Sequence, residues 1–538
     1  MKDISSTGSF INFYLNNYIY VDKTKYIRDL IKLERVFISR PRRFGKSLTL
    51  DTIATLFETG VEPYFKGTWI YDKWTEPTYP VLRLNFLDLD KYSLEHFKQK
   101  LNAIISSFAR DINVKNYEEK VEPEDTIYFL LDELRKEKRQ IVILIDEYDC
   151  QMTANINNET LYKQFQEKIK SFYATIKNKW AIKFLLITGV TKTKNSSVFS
   201  GTDINDITNY SPYSQMIGFT RDEIKKYYID YLKLASSYEN NCSVDNVTDE
   251  QIESMLDMIA QNYDGYCFDE FYKKKVFSTW SVNSFFQSII ENKFVDFGDY
   301  WYDNGGLPSI LVNYLKTHKL NSLDYVEKDK TITIRVNDFK NPTSLTSINQ
   351  NVLMCQTGYL TLRSPVYSKG FMTLGIPNSE VYNALLSLMA LNIFDDTKLE
   401  NVNEQILSQS KDVGEIIELF NTVLNTVSYD NYPISSEAVV QQLLYMYLKG
   451  ICNSVSAELH SSKGRADLVI ESDNRRIVFE FKYAKNEIEA KVKLSEAIEQ
   501  IKTRDYGNIV PKKAELLRIA AVFNADPKVR AFTEYHEV

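Results

Sequence analysis

Val36-Phe-Ile-Ser-Arg-Pro-Arg-Arg-Phe-Gly-Lys-Ser-Leu-Thr-Leu50 reads as a short apolar strand, a turn and the start of a helix. That is the layout of a phosphate-binding loop. Gly45 lets the backbone approach a phosphate, and the N–H groups of the helix start point at it. Lys46 supplies a point charge and Ser47 a hydroxyl for Mg2+. The match to G-x-x-x-x-G-K-[ST] is incomplete, because the first glycine falls at position 40, which is Arg40. Gly-Lys-Ser alone also occurs in solvated loops, so the fold needs a second strand to decide it.

Residues 140–149 supply that strand. They read Gln-Ile-Val-Ile-Leu-Ile-Asp-Glu-Tyr-Asp, an apolar run followed by acids, as in a strand buried on both faces with carboxylates at its carboxyl end. Ligands of open α/β sheets bind at that end. Asp146 is thus placed to hold Mg2+ through water, and Glu147 to polarise the water that attacks a terminal phosphate. The alternative is a buried strand that simply meets solvent at Asp146. Further strands are expected over 36–39, 81–86 and 184–188, separated by helical stretches, which implies a parallel sheet with helices on both faces. Thr188, at the end of its strand, is either a sensor of the terminal phosphate or an ordinary strand-end threonine.

At 538 residues the chain exceeds one hydrophobic core, and about two to four domains are expected. A net charge of -7 with both signs interspersed excludes a protein coated in basic surface, so any nucleic-acid site must be local. Cys150, Cys242, Cys267, Cys355 and Cys452 form no C-x-x-C pair, and His96, His318, His460 and His536 are scattered. This suits a reducing cytoplasm and argues against zinc. The N-terminus lacks a signal-peptide core and no apolar run approaches the roughly 18 residues of a membrane span. A cytoplasmic protein without membrane contact is expected.

Beyond Gly218, Thr220-Arg-Asp-Glu223 and Thr248-Asp-Glu-Gln251 read as capping boxes that open helices. The stretch 218–320 is therefore read as a helical lid packed on the nucleotide domain. Strands over 331–336 and 358–363 follow, then a mostly helical stretch over 395–429. The expected division is 1–217, 218–394 and 395–538.

The last segment carries a second constellation. Gly464-Arg-Ala-Asp-Leu-Val-Ile470 and Arg476-Ile-Val-Phe-Glu-Phe-Lys482 flank a polar turn near Asp473, a hairpin signature. Asp467 then lies across from Phe479 or Glu480, and Glu480 shares a face with Lys482. Two carboxylates can hold Mg2+, and a neighbouring lysine can orient or help deprotonate the attacking water in phosphodiester hydrolysis. A surface hairpin with a Glu480–Lys482 charge pair is the plain alternative, although both residues interrupt an apolar run. Glu437, on a helix over 436–448, is either a further metal candidate or part of a solvated helix face. Gln500, Lys491, Lys493 and Lys502, on a helix over 487–503, and Arg504 just after it, either support the site and contact phosphates or cover a solvated face.

With these residues in view, the chain resembles a bacterial family that joins an AAA-ATPase-like domain to a C-terminal PD-(D/E)XK nuclease-superfamily domain. The resemblance rests on Tyr20-Val-Asp-Lys-Thr24, Arg40-Pro-Arg-Arg-Phe-Gly-Lys-Ser-Leu48, Ile145-Asp-Glu-Tyr-Asp149, Ile187-Thr-Gly-Val190, Phe199-Ser-Gly201, Gly218-Phe-Thr220, Thr357-Gly-Tyr-Leu-Thr361, Ile376-Pro-Asn378, Gly464-Arg-Ala-Asp467 and Glu480-Phe-Lys482. The Arg-Pro-Arg-Arg-Phe-Gly-Lys-Ser loop is the family's own form. The first thirteen residues carry none of these motifs. The resemblance implies an α/β fold: an N-terminal P-loop, AAA-like parallel sheet with a helical lid, a small middle region and an α/β nuclease-like domain. It implies ATP with Mg2+, contacted by Arg42, Arg43, Phe44, Gly45, Lys46, Ser47, Leu48, Asp146 and Thr188. It also implies Mg2+ or Mn2+ at the nuclease site, and nucleic acid as partner, DNA ahead of RNA; a homo-oligomer stays open. The activity implied is an ATP-dependent or ATP-gated nuclease. The alternatives are a nucleotide-switched signalling or scaffold protein that binds without cutting, and a sheet-edge interaction protein with both sites inert.

Overall fold

A computed structural model describes residues 1–177, 179–193, 204–303, 309–315, 325, 328–366, 370–393, 407, 410, 412–427, 433–451, 455–461, 464–471, 474–507 and 513–538. Cys452, His318, the Phe199-Ser-Gly201 motif, the turn at Asp473 and parts of 395–429 lie outside the described residues. The described chain divides into two compact units, 1–320 with 328–382, and 321–327 with 383–538.

In the first unit, β1 (Arg35–Ser39), β2 (Val81–Asn85), β3 (Ile141–Asp146) and β4 (Ile182–Gly189) are joined by the short β5 (Asn205–Asp206) in a sheet of order β2-β3-β4-β1-β5. Every pairing in it is parallel. The apolar run of β3 suits its interior place between β2 and β4, because all of its residues are buried and helices cover both faces of a parallel sheet. β1 ends at the helix Lys46–Thr59, so loop 40–45 lies at the carboxyl edge of the sheet beside the end of β3.

Residues 218–292 are mainly helical, as Arg221–Tyr227, Ile229–Glu239, Asp249–Tyr263 and Thr279–Asn292. Both capping boxes close in both directions, Thr220 with Glu223 and Thr248 with Gln251. The helices bury Ile224, Leu232, Leu256, Ile259, Phe285 and Phe286 in one core. A small antiparallel sheet follows, of β6 (Ile332–Arg335), β7 (Thr361–Leu362) and β8 (Phe371–Gly375) in the order β6-β8-β7. The strand expected over 358–363 is shorter than read. Gly358 instead ends the helix Gln350–Thr357 in the left-handed region, φ 95°, because the terminal carbonyls of a helix are best met from that conformation.

The second unit holds β9 (Val455–Ser461), β10 (Gly464–Glu471), β11 (Arg475–Ala484), β12 (Glu515–Asn524) and β13 (Ala531–Glu537), in the order β13-β12-β11-β10-β9. β11 and β12 are parallel and the other pairs antiparallel. The parallel pair needs a crossover, and helix Glu487–Arg504 supplies it, with Ala497 and Ile501 buried against Val478 and Ala520. On the other face, Phe420 of helix Val413–Asn425 meets Phe479 at 5.1 Å and Phe481 at 6.3 Å between ring centroids. Aromatic burial there leaves Val478, Glu480 and Lys482 to the opposite face, since side chains alternate.

Candidate functional site

Loop 40–45 is shaped by two left-handed residues, Arg43 at φ 67° and Gly45 at φ 98°. Nothing lies within 4 Å of a Cβ built on Gly45, so glycine is required there for its backbone and not for room. Aromatic side chains from distant sequence hold the loop. The Phe44 ring is buried against Tyr266 at 4.7 Å and Phe268 at 5.6 Å, so it offers a ligand its backbone. Arg43 lies over Trp280 at 4.2 Å, its carbonyl accepts Thr279 Oγ1 at 2.9 Å, and the Arg42 carbonyl accepts Trp301 Nε1 at 3.4 Å.

The structure brings the loop residues and the end of β3 together. Ser47 Oγ donates to one oxygen of Asp146 at 2.6 Å, and Thr188 Oγ1 to the other at 2.5 Å. Thr188 is fully buried and spends its hydroxyl on Asp146, behind the cavity that Ser47 lines. Lys46, 4% exposed, is parked on the carbonyls of Arg40 and Pro41 at 3.1 Å each, 3.6 Å from Glu147. Burial pushes the Glu147 carboxyl above its ordinary range, Lys46 works against that, and the charges of Asp149 and Asp146 add to it.

A cavity of about 460 Å³ opens from this loop, lined by Arg42 to Thr49, Glu147, Thr279, Trp280 and Asn283. Its lining also includes the apolar Phe13, Ile19, Val21, Ile27 and Phe219, with Tyr228, and Ser5 to Gly8. That volume lies within the roughly 300–1,000 Å³ of small-molecule sites. The N-terminal segment showed no motif, yet it is pinned in place by Phe10 N–H donating to Asp51 at 2.6 Å and by Phe10 stacking on Phe65 at 4.4 Å. No spacing rule reaches such a contribution, because the contacts cross more than forty residues. Lys23 of the Tyr-Val-Asp-Lys-Thr motif pairs with Glu223 of the first capping box and donates to the Gln215 carbonyl at 2.9 Å, tying that motif to the helical region.

In the second unit, the β10–β11 ladder is in register at Leu468–Phe479, and just beyond it Asp467 Oδ2 accepts Phe481 N–H at 2.8 Å. Lys482 Nζ stands 2.8 Å from Glu480 Oε1, 3.3 Å from Glu437 Oε1 and 3.0 Å from the Phe481 carbonyl. Asp467, Glu480, Lys482 and Glu437 are therefore neighbours. Glu480 is 1% exposed and its Oε2 is buried without a hydrogen-bond partner. Burial, and then the charge of Asp467, push its carboxyl up to about 7 although Lys482 pulls it down. A buried oxygen left over on one carboxylate beside a second carboxylate fits a hard divalent cation. Among the described residues no group of three or more His, Cys, Asp or Glu is gathered for a metal, and Glu437 uses its Oε1 on Lys482.

Among the other candidates, Arg504 lies within reach of the charges of Glu480 and Asp467. Lys491 pairs with Glu487 at 2.9 Å and Lys493 with Glu496 at 2.8 Å along their own helix, so both read as solvated helix face. Gln500 Nε2 and Arg504 Nη1 both donate to the hydroxyl of Tyr506, a buried residue that the sequence did not single out. Among the described residues no helix is long and apolar enough to cross a membrane.

Comparison with known proteins finds a family match in each unit. Residues 5–199 match the family described as predicted AAA-ATPase, and residues 435–532 match the PD-(D/E)XK nuclease superfamily. A protein of Azotobacter chroococcum mcd 1, described as an uncharacterized protein in the vnfD 5' region, is 26% identical over 533 residues, 95% of this chain and 94% of its own. Among solved structures, Cdc6p from Pyrobaculum aerophilum aligns at 11% identity over 69% of this chain and 93% of its own, with a TM-score of 0.26. The chain is thus an AAA-ATPase-like domain joined to a C-terminal PD-(D/E)XK nuclease-superfamily domain.

Proposed function

We propose that this protein is an ATP-gated, metal-dependent nuclease that hydrolyses phosphodiester bonds of nucleic acid, DNA ahead of RNA. The observation that carries the proposal is the unpartnered, buried Oε2 of Glu480 beside Asp467, with Lys482 Nζ 2.8 Å from the other Glu480 oxygen. Asp467 and Glu480 would hold Mg2+ or Mn2+, which when bound supplies neutralisation of phosphate charge and polarisation of the scissile bond. Lys482, fixed by Glu437 and the Phe481 carbonyl, orients the attacking water and eases loss of its proton.

In the AAA-like domain, the N–H groups at the start of helix Lys46–Thr59 and the Lys46 ammonium take the phosphates of ATP. Ser47 and Asp146, already joined at 2.6 Å, provide the Mg2+ position. Glu147 polarises the attacking water, a task for which its raised pKa suits it. Thr188 holds the Asp146 carboxylate in place.

The test is degradation of DNA and RNA by the purified full chain with Mg2+ or Mn2+, with and without ATP, beside Asp467→Asn and Lys482→Ala. Cleavage by wild type that falls about 100-fold in both variants is expected, with ATP binding intact in each. The second reading, a nucleotide switch that binds nucleic acid or a partner without cutting, is favoured by the lack of a third acidic ligand among the described residues. Binding without cleavage in wild type and Asp467→Asn alike would establish it instead.

A further inference from the structure

We propose that Arg40, which stands where the general loop motif has its first glycine, anchors a second ligand site. The ligand would be a small organic anion whose carboxylate or phosphate meets Arg40 and whose body is apolar. Arg40 forms part of the wall of a cavity of about 390 Å³ that shares no lining residue with the cavity at Lys46. This volume is within the range of small-molecule sites, roughly 300–1,000 Å³.

The Arg40 guanidinium is oriented on two sides. It lies over the Phe268 ring at 4.2 Å, and Nη1 donates to the carbonyls of Ser39 at 2.9 Å and Thr208 at 2.5 Å. Nε and Nη2, which form one edge of the planar group, are buried without a partner. That edge is the fork which receives a carboxylate or phosphate through two parallel hydrogen bonds. Among the described residues no carboxylate pairs with Arg40. Asp206, an acid of this cavity, is engaged by Lys192 and by Thr208 N–H at 2.9 Å.

A buried guanidinium with a vacant edge is costly unless something meets it. At 1% exposure Arg40 is shut off from bulk water, and the space it borders is this cavity. The charge there suits an anion, with Arg40, Lys192 and Lys340 against Asp206 and Glu270, while Phe339, Leu360 and Val366 offer apolar surface. The Arg40 and Pro41 carbonyls also hold Lys46 Nζ. An anion seated on Arg40 therefore acts on the segment from which Lys46 must detach to meet a phosphate, and whatever factor it imposes on nucleotide affinity is returned to it.

The site does not depend on the nuclease or ATPase roles, and its test separates it from the loop. The full chain is titrated calorimetrically with benzoate and with inorganic phosphate, as wild type, Arg40→Met, Asn341→Trp and Lys46→Ala. Asn341 is an exposed residue of the cavity, so a tryptophan there blocks it without burdening the core. Binding of at least one probe is expected to survive Lys46→Ala and to weaken tenfold or more in both Arg40→Met and Asn341→Trp. Benzoate as the responding probe assigns a carboxylate ligand, and phosphate assigns a phosphate ester. If Arg40→Met fails to fold, Asn341→Trp decides by itself. No binding of either probe, binding lost only in Lys46→Ala, or binding indifferent to Asn341→Trp overturns the proposal.

Discussion

Glu480 carries a carboxyl pushed up to about 7 by burial, so below about pH 7 the folded, metal-free protein favours its protonated form. A raised folded-state pKa contributes stability that is full below the unfolded value, near 4.5, and is lost as pH rises through about 7. Metal-free protein should therefore be less stable at pH 8 than at pH 6 through its C-terminal unit, by on the order of 1 kcal/mol. Glu480→Gln should flatten that part of the profile in melts taken with a chelator from pH 5 to 9. Added Mg2+ or Mn2+ should restore stability most at the alkaline end, because proton and metal compete for the same oxygens. A profile indifferent to Glu480→Gln would show that the carboxyl is not strained. At the other centre, Lys46→Ala should cost nucleotide affinity about tenfold or more, whereas Glu147→Gln should keep binding and slow hydrolysis about 100-fold. Equal affinity in wild type and Lys46→Ala, read by titration, would remove the assignment.

Among the elements, the end of helix Gln350–Thr357 bears directly on the loop. A Cβ on Gly358 would lie 2.9 Å from Pro41 Cβ, while Gly370, with nearly the same φ at 94°, has nothing within 4 Å. Both alanine substitutions pay the left-handed backbone, about 1 kcal/mol each. Only Gly358→Ala should also press on Pro41 and lower nucleotide affinity, so comparing melts and nucleotide titrations of the two variants separates strain from loop displacement. The capping box at Thr220 has a second duty, since its Glu223 also holds Lys23. Thr220→Ala should cost about 1 kcal/mol in chemical denaturation.

For the whole molecule, the proposal of ATP gating predicts that Lys46→Ala alters cleavage although position 46 belongs to the AAA-like domain. Nucleic acid should shift nucleotide affinity by the same factor that nucleotide shifts nucleic-acid affinity, typically about 5- to 150-fold. Both are read from binding titrations done in each order. Cutting that ignores nucleotide and Lys46 alike would make the two domains independent passengers of one chain.

The sequence determined the elements whose signal is local. The apolar run of β3, the Gly-Lys-Ser helix start, both capping boxes and the β10–β11 hairpin are legible because periodicity, turn chemistry and caps act over a few residues. It also placed Asp467, Glu480 and Lys482 on one hairpin, since alternation in a strand fixes which residues share a face. Only the tertiary structure decided what surrounds these residues. The aromatic collar of Tyr266, Phe268, Trp280 and Trp301 around the loop joins positions more than two hundred residues apart. The N-terminal lining of the cavity at Lys46, the engagement of Thr188 by Asp146 and the unmet edges of Arg40 and Glu480 are of the same kind. Burial and unpaired hydrogen-bonding capacity depend on every neighbour in space, and a linear pattern does not name those neighbours.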